Sequence, residues 1–327
     1  MPQKRASRLV LAFVGLLLLL AVPALFAPWF GWFQKPANGQ TELTIPRGAT
    51  LTAVAADLQA KNLITSARHF RLLARLLGSA RPVQAGRYSL PKNAPWAAYL
   101  SQLQQGRVIR QMLTISEGLP SVLVAEKLAA EPRLTGPITA PPEGSVLPQT
   151  YDFTDGEPRA ALLARMQAAM QKTSAELWPK RTPRAIVKTM EEALILASIV
   201  EKETGKPEER RKIAGVYTNR LRLGMKLDAD PTVIYPITKG KPLGRRIRRS
   251  ELDADTGYNT YARPGLPQGP IANPGRASIA AVLNPEETDA LFFVADGTGG
   301  HVFAATLAEH NANVQRWYAL RLSRGEM

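Results

Sequence analysis

An uninterrupted apolar run from Leu9 to Phe33 (LVLAFVGLLLLLAVPALFAPWFGWF), preceded by Lys4, Arg5 and Arg8, constrains this chain more than any other feature. It carries no ionisable residue over about 25 positions, and a helix crossing a bilayer needs about 20. A basic flank is retained on the cytoplasmic side, so the run reads as a transmembrane anchor over 9–33 behind a cytoplasmic tail over 1–8. Everything that follows is then expected outside the cytoplasm. Trp29 and Trp32 fit an interfacial aromatic belt at the far end, and Pro23 and Pro28 are expected to kink or end the helix nearby. A cleaved signal peptide is the alternative, with Val22-Pro23-Ala24 as its small-residue site, but the apolar run continues well past that point.

Composition narrows the partners. The formal net charge of +15 predicts attraction to something anionic, and a position outside the cytoplasm removes nucleic acid from the choice. With no cysteine in 327 residues, disulfides, a thiol nucleophile and cysteine-ligated zinc are excluded. Hydrophobic residues at 45% and charged residues at 21% describe a folding chain and not a disordered one.

After a polar linker over 34–40 (QKPANGQ), the segment 41–112 reads as a strand followed by two helices, and part of it recurs. Laying IPRGATLTAVAADLQ (45–59) over LPKNAPWAAYLSQLQ (90–104) aligns Pro46 with Pro91, Ala49 with Ala94, Ala53 with Ala98, Leu58 with Leu103 and Gln59 with Gln104. A weaker third copy begins at ISEGLP (115–120). Each copy reads as strand, Pro/Gly turn and helix, a pattern that resembles the LysM-type modules that bind N-acetylated glycans. Two unrelated strand-turn-helix units that pack together are the simpler reading of the same pattern. From 113 to 327 helical patterns over 121–130, 157–173, 183–204 and 207–223 alternate with Pro/Gly-rich loops. LFFVADGTGGHVF (291–303) then reads as a β-hairpin, followed by an amphipathic helix at 306–320. The fold class is therefore α+β: an anchor, a small α/β subdomain over 41–112 and a larger mixed domain over 113–327.

The chemistry is expected at EEALILASIVEKETG (191–205). Residues 193–200 are almost wholly Ala, Leu, Ile and Val, so the helix is buried rather than one-sided. At about 100° per residue Met190, Leu194, Ala197 and Glu201 share one line, and Glu203 points about 160° away. A carboxyl at the end of a buried stripe loses hydration, which favours its neutral form and suits a general acid. On periodicity alone, a helix ending at the surface in a solvated Glu-Lys-Glu face explains the same residues.

A family resemblance reaches further. ASIVEKET (197–204), VYTNRLRLGMKLDADPTVIY (216–235), TGYNTYARPGLPQGPIANPG (256–275) and LFFVADGTGGHVF with His310 and Asn311 follow in order, after an upstream EGSVLPQTY (143–151). In these motifs the chain resembles the endolytic murein transglycosylase, or YceG-like, family. The resemblance implies that Glu201 is the catalytic acid and base. It also implies a lyase that cuts the β-1,4 bond between N-acetylmuramic acid and N-acetylglucosamine in nascent peptidoglycan strands, leaving a 1,6-anhydro end. Such an enzyme needs one carboxyl where most glycosidases need two. The same resemblance implies a terminator of glycan polymerisation at the inner membrane, its catalytic domain on the periplasmic side, with penicillin-binding synthases as partners.

Tyr258, Asn259, Thr260 and Tyr151 carry polar tips on short or rigid bodies and are candidates for sugar hydroxyls and acetamido groups, although such residues often brace loops. The turns at Pro264-Gly265-Leu266-Pro267 and Asn273-Pro274-Gly275 read as frames of a cleft, and GRRIRRSE (244–251) as an exposed loop. His301 and His310 lack metal-ligand spacing and the Gly-rich turn lacks a phosphate-loop Lys, so neither metal nor cofactor is expected. Two other readings stay open. A hydrolytic muramidase would take Asp228, Asp230 or Glu203 as its second carboxylate, and a wall-binding scaffold would need no acid at all.

Overall fold

The computed structural model describes residues 21–32, 34–35, 37–46 and 48–326. Among them no helix is long and apolar enough to cross a membrane, and most of the anchor expected at 9–33 lies outside the described residues. A helical stretch over 21–30 is the part that is described, and it ends two residues past Pro28. The aromatic-belt expectation fails for Trp29. Its side chain is buried in a protein core with its ring centroid 6.2 Å from that of Phe70. Trp32 is exposed and stacks on Phe30.

The chain forms two compact units that divide near residue 111. The first holds β1 (Gln40–Ile45), α1 (Leu51–Ala60), α2 (Ala67–Leu77), β2 (Gly86–Pro91) and α3 (Trp96–Gln105). β1 and β2 pair antiparallel, from Gln40 opposite Pro91 to Ile45 opposite Gly86. Alternation puts Leu43, Ile45, Tyr88 and Leu90 on one face, where Leu58, Phe70, Trp96, Tyr99 and Leu103 close the core. Thr50 and Ser66 start α1 and α2 by accepting hydrogen bonds from the N–H groups of Ala53 and His69. The repeat has a structural counterpart. Both copies run from a strand end through a turn into a helix, Leu58 and Leu103 take equivalent buried positions, and Ala53 and Ala98 stay outside.

The second unit carries β3 (Gln111–Thr114), α4 (Ser121–Ala130), β4 (Thr150–Phe153), α5 (Arg159–Leu177), α6 (Met190–Glu203) and α7 (Arg210–Arg222). It continues with α8 (Asp230–Thr238), α9 (Arg249–Asp253), α10 (Arg276–Leu283), β5 (Phe292–Ala295), β6 (His301–Ala304) and α11 (Leu307–Ser323). β3 pairs with β4 and β5 with β6, the latter as the expected antiparallel hairpin. The weaker third copy is β3, a turn and α4. The class is α+β, with two-stranded sheets and a helical core.

That core is built around α6. Ala193 and every residue from Leu196 to Val200 are buried, and α10 and α7 pack against the helix through Ile279, Val282, Ile213 and Tyr217. Each fully buried Leu or Ile contributes about 1.5–3 kcal/mol. Ser198, fully buried, donates to the Ile195 carbonyl and accepts from the Ile271 N–H at 3.0 Å, which fixes the 271–275 loop beside the helix end. On α7, Gly215 lets backbone approach closely: an added Cβ there would lie 2.6 Å from the Glu286 carbonyl oxygen.

Candidate active site

The C-terminal turn of α6 delivers two carboxyl groups to two different settings. Glu201 has a side chain only 4% exposed, and donors meet it. The Gly275 N–H donates to Oε2 at 2.8 Å and the Arg210 guanidinium reaches Oε1 at 3.5 Å. Arg210 is also 3.2 Å from Glu117. An added Cβ on Gly275 would lie 2.0 Å from a Glu117 oxygen, so only glycine fits between these partners without moving one of them. Glu201 thus ties the 117–118 turn, the start of α7 and the Asn273-Pro274-Gly275 turn together. The expected shelter of this carboxyl is there, and charged and polar donors accompany it.

Glu203 stands in a second and different setting. It lines a cavity of about 840 Å³ with Tyr217, Arg220, Asp228, Asp230, Tyr261 and His310. Burial pushes its carboxyl up to about 7, and the negative charge of Asp230 pushes the same way; the Tyr217 hydroxyl and the Arg220 guanidinium pull against them. Glu203 Oε1 is buried and has no hydrogen-bond partner among the described residues. Glu203 does point away from the Glu201 line, but α6 is buried on several faces: Leu196, Ile199 and Val200 form a second interior line that leads to Glu203 at i+3 and i+4 spacing.

Each wall of the cavity has a local cause. Arg220 is 8% exposed and donates to the carbonyls of Leu291, Lys226 and Leu227 and to the Asp228 carboxylate at 3.1 Å, which locks the 226–228 loop and β5 onto α7. Asp228 takes a left-handed φ of 51°, a conformation that Asp tolerates better than most side chains. Asp230 opens α8 as its first residue, not as its cap, and accepts from the Tyr261 hydroxyl at 2.7 Å. His310 stacks on Phe292, and burial, with Arg220 nearby, lowers its ring below the usual histidine range.

Three of the four proposed sugar-binding residues prove structural, and the fourth does not reach the cavity. Asn259, 1% exposed, donates its amide to the carbonyls of Glu251, Leu252 and Ala254 and accepts from the Tyr261 N–H. Thr260 is equally buried, bonded to the Ala229 N–H and the Thr232 hydroxyl. Tyr151 donates to the Leu147 carbonyl from inside the core. Their hydrogen-bonding capacity is satisfied within the fold, as buried polar groups require. Tyr258 is half-buried against Tyr235, away from Glu203. Tyr261, the last residue of the YNTY run, is the one that reaches the cavity.

His301 holds Glu209, with Nδ1 and Oε2 2.7 Å apart, and braces the hairpin. Among the described residues no group of His, Asp or Glu has a metal-holding arrangement.

The site is therefore a sheltered carboxyl, pushed up to about 7, at the wall of a polar cavity in an α+β fold. The sequence profile of the YceG-like family matches residues 43–316, and the chain belongs to that family. An endolytic murein transglycosylase of Bacillus subtilis (strain 168) is 30% identical over 318 residues, covering 87% of this chain and 86% of the relative. Another, from Streptococcus pneumoniae serotype 2, is 33% identical over 223 residues, 66% of this chain and 38% of that longer protein. A crystal structure of a YceG-like protein from Listeria monocytogenes superposes with a TM-score of 0.54 at 27% identity, over 84% of this chain and 99% of that one.

Proposed function

We propose that this chain is an endolytic lytic transglycosylase of peptidoglycan whose acid and base is Glu203, in place of the Glu201 that the family resemblance implies. One observation carries the reading. The segments of the family resemblance, far apart in sequence, supply one cavity: Glu203 from ASIVEKET, Tyr217 to Asp230 from the next motif, Tyr261 from YNTY, and Phe292 with His310 and Asn311 from the last. The names of the relatives support murein as the substrate.

In this reading protonated Glu203 donates to the glycosidic oxygen as the bond from C1 of N-acetylmuramic acid breaks and positive charge develops at C1. The resulting carboxylate takes the proton of the C6 hydroxyl while O6 bonds to C1, which closes the 1,6-anhydro ring and restores the acid. Water takes no part. Asp230 and the shelter of the cavity keep the proton on Glu203 until it is needed. Glu201 is a positioning residue that holds the adjoining loops.

A hydrolytic muramidase is the second reading, favoured by Asp230 sharing the cavity with Glu203. Mass spectrometry of a glycan digest separates the two: anhydro ends support the transglycosylase, and reducing ends overturn it. Glu203→Gln tests the scaffold alternative, since a non-catalytic wall binder would keep its full effect in cells. The resemblance supports placing the cut on nascent strands, as a terminator of polymerisation beside penicillin-binding synthases. The apolar run at 9–33 supports an inner-membrane anchor with the cavity on the periplasmic side, and the strand-helix-helix-strand order of the first unit supports a LysM-like glycan-holding role for it.

A further inference from the structure

On α2 of the first unit, Phe70, Leu73 and Ala74 turn into the core and leave a second face outside. That face holds Arg68, Arg71 and Arg75 beside Leu72 and Leu76, within an arc of about 140° at about 100° per residue. Leu72 is 47% and Leu76 61% exposed, large values for leucines on a packed helix. Among the described residues no carboxylate pairs with Arg68, Arg71 or Arg75, whereas Arg245 and Arg249 of the other basic segment are held by Glu251 and Asp253. Leu25, from the helical stretch that continues the N-terminal apolar run, lines a cleft of about 560 Å³ with Arg68, Arg71, Leu72 and Arg75. The basic face therefore lies where that run joins the unit.

We propose that this face of α2 docks on the surface of an anionic phospholipid bilayer. Leu72 and Leu76 enter the boundary between headgroups and acyl chains, and the three arginines meet lipid phosphates. A basic, leucine-bearing helix face is the form that binds in the plane of a membrane, and each arginine near an anionic surface adds to the attraction. An acidic protein would answer the arginines and leave the leucines in water; an apolar protein patch would bury three unpaired guanidiniums. The proposal rests on the anchor reading only in that the anchor brings a bilayer close.

Because the chain has no cysteine, Leu76→Cys gives a single attachment site for an environment-sensitive nitrobenzoxadiazole probe. The labelled full chain is placed in nanodiscs of phosphatidylcholine alone or of phosphatidylcholine with phosphatidylglycerol. The expected result is a blue shift in the anionic discs. It is lost in high salt and in the exposed-surface variant Arg68→Glu/Arg71→Glu/Arg75→Glu, whose fold is checked by thermal melting. A probe that reports water in both discs, or an equal shift in both that the variant does not change, overturns the docking. If the chain does not enter discs at all, it is the anchor reading that fails, and co-sedimentation with phosphatidylglycerol vesicles then decides: retention that the triple variant abolishes supports the docking, and no retention overturns it.

Discussion

Glu201 and Glu203 stand two residues apart on the same helical turn and differ in setting. Both are sheltered and have a guanidinium near, but Glu201 accepts from a backbone N–H, whereas Glu203 has a neighbouring carboxylate and lines a cavity. The contrast teaches that what a side chain can do is set by what the fold packs around it and not by its place in a motif; in the proposed reading one carboxyl is a clasp and the other an acid.

The largest expected effect breaks the comparison outright. Glu203→Gln should lower glycan cleavage by about 10²–10⁴-fold, the usual worth of a general acid, with an unchanged circular dichroism spectrum. Glu201→Gln should instead retain most of its cleavage at low temperature and melt earlier, because a buried charged hydrogen-bonding group contributes about 1–3 kcal/mol. If Glu201→Gln is the inactive one and remains fully stable, the assignment of roles is reversed.

The pH dependence sharpens the same contrast. Cleavage that needs protonated Glu203 should fall as pH rises through about 7, and Asp230→Asn should move that limb to lower pH, since removing a nearby negative charge favours the carboxylate. Stability follows in sign. The folded state binds the Glu203 proton more tightly than the unfolded state, where the ordinary value is 4.5, so its contribution is fullest below that pH and is lost as pH rises to about 7. The loss is on the order of 3 kcal/mol from a shift of this size. Chemical denaturation at pH 4.5 and pH 8 should show this slope in the wild type and not in Glu203→Gln.

Gly275→Ala should have the smallest effect. Its φ of −73° suits alanine, and the new Cβ would be relieved by rotation of the half-exposed Glu117 side chain away from Arg210. A drop in stability of about 1 kcal/mol in a thermal melt, with cleavage nearly unchanged, is expected.

Much of this was legible in advance. The 3.6-residue period marked α4, α6 and α7, two apolar runs around a Gly-rich turn marked the hairpin, and the all-round apolar composition of 193–200 marked a buried helix. The partners of Asn259, Thr260 and Tyr151 were not legible, because a sequence does not display what a polar group meets; here they are the carbonyls of Glu251, Leu252 and Ala254, the Thr232 hydroxyl and the Leu147 carbonyl. A signal for Glu203 did exist. Its i+4 relation to Ile199 is as good as that of Glu201 to Ala197, but choosing between two interior faces of one buried helix requires knowing what lies opposite each.

The sequence by itself determined the family, the α+β class and the helix that carries both carboxyls, because those follow from local periodicity and ordered motifs. Only the tertiary structure decided the surroundings of each carboxyl, on which the proposed choice of acid rests: a proton affinity depends on dehydration and on charges within a few ångströms. In this chain Tyr217, Arg220 and Asp230 reach Glu203 from other elements, brought there by folding and not by spacing.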